Sequence, residues 1–198
     1  MASAIISAQN TIIHATARVG SKGATYCAIA GFVTSAIFAL VIYPRIATVA
    51  GAGLDPDGHG ALGWALWKYH AFSYFPSHRV SIGRGPLYPL IIAVLLKFSG
   101  GWWPYSVQLM QCLWFSLTCF FTFYIARRLW NSAAATVAGS VCVLHPFLFW
   151  YTGRIWIEAM AMFLFTALMA AVLHFQEKPA LPRAVLLGFV IGCACLCK

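Results

Sequence analysis

The chain has 198 residues, 62% of them hydrophobic and only 9% charged, with a formal net charge of +9; soluble domains carry roughly 45–50% apolar and about 25% charged residues. A water-soluble fold of this length has too little interior to hide that apolar surface, which excludes an ordinary soluble domain. The basic residues are scattered between apolar runs rather than gathered into a patch, so they read as membrane-flanking charges and not as a nucleic-acid interface.

No Asp, Glu, Lys or Arg occurs between Lys22 and Arg45, Lys97 and Arg127, Arg128 and Arg154, or Glu158 and Glu177. A helix needs about 20 apolar residues to cross a bilayer, so these charge-free runs predict spans. The expected architecture is an all-α polytopic membrane protein, a single domain over 1–198 with about five spans.

The first span is expected over residues 25–43. Arg18, Lys22 and the small residues Ala50-Gly51-Ala52 also resemble a cleavable signal, but the apolar stretch Thr25 to Tyr43 is longer than the 7–15 or so residues of a signal core, which favours an uncleaved anchor. An external loop follows over 44–104. It opens on Asp55-Pro56-Asp57-Gly58-His59-Gly60, turn-rich by its Gly, Pro and Asp content. The following ALGWALWKYH places Ala61, Leu62, Ala65, Leu66 and Tyr69 on one helical face, the pattern of an interfacial helix. An external carboxylate at the mouth of such a helix suits a general base; Asp55 or Asp57 equally suits a helix cap. Next come Arg84-Gly85-Pro86-Leu87-Tyr88-Pro89, whose arginine can grip a phosphate or meet lipid headgroups. Trp64, Trp67, Tyr74, Trp102 and Trp103 read as an aromatic interface belt. The apolar run from Pro86 to Phe98 is too short to span and is expected to lie along the membrane.

Further spans are expected over 105–126, 132–149, 158–176 and 184–198, the last ending near the last residue of the sequence, which suggests a truncated protein. With the Pro86–Phe98 segment kept out of the bilayer, Arg18, Lys22, Arg127, Arg128, Lys178 and Arg183 all fall on the cytoplasmic side, together with the amino terminus. Asp55, Asp57 and Glu158 then share the external face. Glu158 opens a helix, where it either contacts a ligand or complements the helix dipole; His145, before Pro146, reads as a helix-end histidine. The seven cysteines form no zinc or disulfide pattern: Cys27, Cys112, Cys119 and Cys142 lie in apolar runs, and Cys193, Cys195 and Cys197 do not share a helical face.

The order of these elements, from the Asp-Pro-Asp-Gly-His stretch through LGWALWKYHAFS, Arg-Gly-Pro-Leu-Tyr-Pro, Ala126-Arg127-Arg128-Leu129 and His145-Pro146 to Glu158, resembles the GT-C membrane glycosyltransferases. The group concerned contains lipid A aminoarabinose transferases and protein O-mannosyltransferases, and the resemblance covers about Ala47 to the end. It implies a GT-C-like transmembrane helical bundle in a bacterial plasma membrane. Its activity would be inverting transfer of a sugar from a polyprenyl-phosphate donor to a lipid, glycan or protein acceptor on the external face. By position, Asp55 matches the acidic residue of the first external loop that acts as catalytic base or positions the acceptor, with Asp57 as the alternative; Arg84 matches a basic position near the donor phosphate. His59, standing where a tyrosine is common, Tyr88 and Glu158 match substrate-binding positions. No cofactor or metal is expected, and no Gly-rich phosphate loop is present. The rival readings are a secondary transporter, which normally keeps its ionisable residues within spans, and a membrane assembly subunit without chemistry.

Overall fold

The computed structural model describes residues 22–50, 53–74 and 83–197. Among these residues the structure is helical without strands, because long apolar runs must satisfy their own backbone hydrogen bonds when no water is present to do so. Among the described residues three helices are long and apolar enough to cross a membrane: α1 (Lys22–Ala47), α4 (Trp103–Leu129) and α7 (Glu158–Glu177). Between and after them lie α2 (His59–Tyr69), α3 (Leu87–Ser99), α5 (Ser132–Leu144), α6 (Pro146–Trp150) and α8 (Leu181–Cys197).

The expected spans 132–149 and 184–198 differ from what is observed. Helix α5 stops after 13 residues and α8 has 17 residues, both below the length of the three long helices. The break after α5 has a local cause. Pro146 lacks an N–H and pushes the residue before it out of the helical region; His145 sits at φ −72, ψ 114, and the chain restarts as the short α6. Pro44 acts more gently within α1. Unable to donate to the carbonyl four residues back, it follows a π-helical turn at Phe38–Ile42, in which the Tyr43 N–H bonds the Phe38 carbonyl.

Helix α4 is the central post. Helix α1 runs antiparallel to it: a Cβ on Gly23 would meet Phe123 at 2.5 Å and one on Gly31 would meet Cys119 Sγ at 2.9 Å, and Ser116 Oγ donates to the Ala28 carbonyl at 2.8 Å. Small residues thus let the backbones approach closely. Helix α5 also runs antiparallel to α4, with Cys142 against Cys119. Helix α7 is parallel to α4, and the Arg128–Glu177 ion pair joins their far ends. The other ends of α4 and α7, together with α3 and the end of α8, gather around one core that includes Tyr88, Ile92, Val107, Trp114, Ile155 and Met160.

Helix α2 lies on α3, burying Leu62 and Ala65 of the apolar face together with a run of small residues. Its buried residues are His59, Gly60, Leu62, Gly63 and Ala65, whereas Ala61 and Tyr69 are exposed. The glycines set the contact, since a Cβ on Gly63 would stand 2.6 Å from Ile92 Cγ2.

Candidate functional site

The turn before α2 brings Asp55 back over the helix it introduces. Gly58, at φ +73, is the N-cap residue; a Cβ there would also meet the Tyr74 ring at 2.8 Å, so both conformation and space require glycine. Asp55 Oδ2 accepts from the Ala61 N–H at 3.1 Å, satisfying one of the free donors of the first turn. Its other oxygen, Oδ1, is buried without a hydrogen-bond partner. One carboxylate therefore caps the helix with one oxygen and keeps the second without a partner, so the capping role and a chemical role are not exclusive.

Asp57 points elsewhere. Its Oδ1 faces Arg84 Nη2 at 3.8 Å, with 35% and 39% of the respective side chains exposed, and solvent screening makes such a pair weak. Tyr74 donates to the Asp57 carbonyl at 3.4 Å. The sequence reading set Asp57 beside Asp55 and Arg84 apart; the fold pairs Asp57 with Arg84.

His59 is 1% exposed, and neither ring nitrogen has a hydrogen-bond partner. Its ring stands edge-on to Tyr88, centroids 5.2 Å apart. Burial lowers its pKa from the ordinary 6.5 and the Arg84 charge lowers it further, against the opposing pull of Asp55 and Asp57; the imidazole is neutral at pH 7. Tyr88 is fully buried and donates to Gln111 Oε1 at 2.9 Å. Burial holds its hydroxyl well above the usual pKa, and the charges of Asp55 and Glu158 push the same way, so both carboxylates bear on this ring. Glu158 opens α7, with Oε2 buried and unpartnered.

Two glutamines on one face of α4 organise the Glu158 side, and the sequence reading passed over both. Gln111 accepts from Tyr88 and from the Trp156 N–H at 3.2 Å, and donates to the carbonyls of Arg154 and Thr152 at 2.5 and 3.3 Å. Gln108 donates to the Gly153 carbonyl at 2.7 Å. The available signal was a Gln-x-x-Gln spacing inside a charge-free apolar run, since buried amides need partners.

The loop held this way is bonded in turn to the Asp55 turn. Ile155 N–H donates to the Leu54 carbonyl at 2.8 Å, and Arg154 Nε and Nη2 both reach the Gly53 carbonyl, at 3.3 and 3.2 Å. Asp55 and Glu158, about a hundred residues apart in the chain, are thereby fixed at one end of the bundle. Beside Asp55 opens a cleft of about 480 Å³, lined by Leu54, Asp55, Trp64, Tyr74, Trp103 and Ile155 among others. That volume suits a small ligand, and a mostly apolar wall with one carboxylate suits an oriented one. Of the candidate catalytic and substrate-binding residues, Asp55 lines this cleft, together with the belt aromatics Trp64, Tyr74 and Trp103; His59 and Tyr88 are buried. Among the described residues no group of three or more His, Cys, Asp or Glu is arranged to hold a metal ion.

No known protein family, curated protein or solved structure matches this chain.

Proposed function

We propose that this chain is a membrane glycosyltransferase of GT-C type, moving a sugar from a polyprenyl-phosphate donor to an acceptor hydroxyl or amine. The observation that carries the reading is Asp55, which lines the aromatic cleft and whose Oδ1 is buried without a partner, on a turn bonded to the loop that presents Glu158. A buried carboxylate oxygen without a donor is costly unless a ligand supplies one, and an acceptor hydroxyl or amine does so.

In this mechanism the acceptor proton passes to Asp55 as the acceptor oxygen or nitrogen attacks the anomeric carbon. The bond from that carbon to the phosphate oxygen breaks, with inversion. The polyprenyl monophosphate leaves with the bonding electron pair, and Arg84 stabilises the charge it gains. Arg84 is held near the turn by the weak pair with Asp57, which a phosphate replaces with two parallel hydrogen bonds. The aromatic walls of Trp64, Tyr74 and Trp103 offer apolar faces to the sugar ring. The broken passage of α5 and α6 and the shorter α8 complete the bundle as further membrane passes, with the cleft on the external side.

The test is release of polyprenyl monophosphate. Membrane vesicles carrying the protein, expressed from its full reading frame, are given radiolabelled polyprenyl-phosphate hexoses and pentoses. Label moving to an acceptor, with one monophosphate freed per sugar transferred, is the expected result. No release above empty vesicles with any of these donors would overturn the reading.

A further inference from the structure

At the other end of the bundle, away from the cleft, α4, α7 and α8 leave a groove of about 350 Å³. Its floor is formed by Ala167, Ala170 and Ala171 of α7, and its walls include Phe121 of α4 and Leu186 and Phe189 of α8. The alanines occupy one helical face and are too short to fill the space between the flanking helices. The lining is apolar except for Tyr124 and His174.

His174 marks where the groove meets a basic rim. Its carbonyl accepts from Arg183 Nη1 at 2.7 Å, and its Nδ1 lies 4.0 Å from Glu177 Oε2. Glu177 is also paired with Arg128, and Lys178 is the next residue along. Arg128 on Glu177, Arg183 on the His174 carbonyl and the exposed Lys178 thus set three basic residues against one carboxylate at the end of α7 where His174 lines the apolar slot. An uncharged or zwitterionic occupant leaves that excess positive charge unanswered, whereas an anionic headgroup with a hydrocarbon tail matches both parts at once. Basic pockets between membrane helices bind anionic lipid headgroups by this combination.

We infer that this groove is a binding site for an anionic phospholipid, with one acyl chain against Ala167, Ala170 and Ala171 and the phosphate at Arg183, Lys178 and Arg128. The site is independent of the proposed glycosyl transfer. It lies at the far ends of α4 and α7, and its occupancy is read without any turnover.

The test is native mass spectrometry of the protein released from micelles containing phosphatidylglycerol and phosphatidylcholine with the same acyl chains at equal amounts. The wild type is expected to retain phosphatidylglycerol in excess, and added inorganic phosphate is expected to leave that adduct in place, because the chain supplies much of the affinity. Removing a cation near the lipid surface costs about fivefold in binding, so K178Q/R183Q is expected to lose roughly 25-fold. K97Q, which removes an exposed cation of α3, is expected to change nothing. A167F fills the groove and is expected to release both lipids; if it fails to fold, as judged by circular dichroism, the charge variants decide alone. Equal retention of the two lipids by the wild type, or a loss in K97Q as large as in K178Q/R183Q, would overturn the inference. So would displacement by inorganic phosphate, or a dimer mass that A167F abolishes without any lipid excess, which would assign the groove to a second copy of the chain.

Discussion

Replacing Gln111 with leucine removes one side chain that serves four partners: the Tyr88 hydroxyl, the Trp156 N–H and the carbonyls of Arg154 and Thr152. Two of these are partly protected, because the Trp156 N–H also donates to the Arg154 carbonyl at 3.0 Å. The Tyr88 hydroxyl, on a fully buried ring, and the Thr152 carbonyl lose their partner. Each buried group left unsatisfied costs about 1–3 kcal/mol, so the expected loss is about 2–6 kcal/mol, a large share of a typical total of about 5–15. Tyr88→Phe alone leaves Gln111 Oε1 still bonded to Trp156 and is expected to cost only about 1 kcal/mol. In the double variant the orphaned hydroxyl no longer exists, so the combined loss should fall short of the sum by about 1–3 kcal/mol. Unfolding in mixed detergent micelles, followed by tryptophan fluorescence, measures all three; Trp114 stands 5.9 Å from Tyr88 and reports on the same core. A cost for Gln111→Leu below about 1 kcal/mol, the scale of a single ordinary hydrogen bond, or strict additivity with Tyr88→Phe, would refute the view that this glutamine ties the two halves of the site together.

Gly63→Ala places a methyl group 2.6 Å from Ile92 and 3.0 Å from the Pro89 carbonyl and is expected to destabilise by about 1–3 kcal/mol. Gly188→Ala, with nothing within 4 Å of the new Cβ, is expected to stabilise α8 by up to about 1 kcal/mol, and the same detergent titration compares the two. Because the pKa of His59 is lowered in the folded state, the unfolded chain binds the extra proton first; stability is expected to be level above the ordinary value of 6.5 and to fall as pH drops below it towards the folded value. Thermal unfolding against pH checks this, with His59→Gln expected to flatten the slope and an unchanged slope counting against the assignment. In a cysteine-free background, Cys at exposed Pro56 and at exposed Ser132 should label with an impermeant thiol reagent from opposite sides of sealed vesicles, since the two positions lie at opposite ends of the bundle; labelling of both from one side would contradict the arrangement of α4 and α5 across a membrane.

The long helices were legible because charge brackets them. The runs expected over 105–126 and 158–176 became Trp103–Leu129 and Glu158–Glu177, each closing where Arg or Glu reaches the bundle end. Asp55 and Glu158 are expected on one side from the two predicted passes between them, and the bond from the Ile155 N–H to the Leu54 carbonyl brings their segments together. What hydropathy could not carry was the fine structure. Pro146 cuts an apolar run that looks continuous when only transfer energies are summed. The Gly60 and Gly63 face of α2 is invisible to a search for large apolar residues. Both oxygens of Asp55 looked equivalent until the backbone folded back and gave one to Ala61. Gln111 reads as a minor blemish in an apolar helix because its partners lie up to 45 residues away, and no local pattern announces a hydrogen bond over that distance.

The proposed chemistry rests on a single carboxylate oxygen, so the most direct measurement is sugar transfer by Asp55→Asn. Asparagine keeps the size of the side chain and an oxygen for the Ala61 N–H, capping about as well as aspartate, but it cannot accept the acceptor's proton. The account predicts that donor-dependent release of polyprenyl monophosphate falls by about 10²–10⁴-fold, the usual contribution of a general base. Expression and thermal stability should stay near those of the wild type, and Asp57→Asn should be much less affected. Turnover retained within a few-fold of wild type in Asp55→Asn would contradict the account and leave Asp55 as the cap of α2 alone.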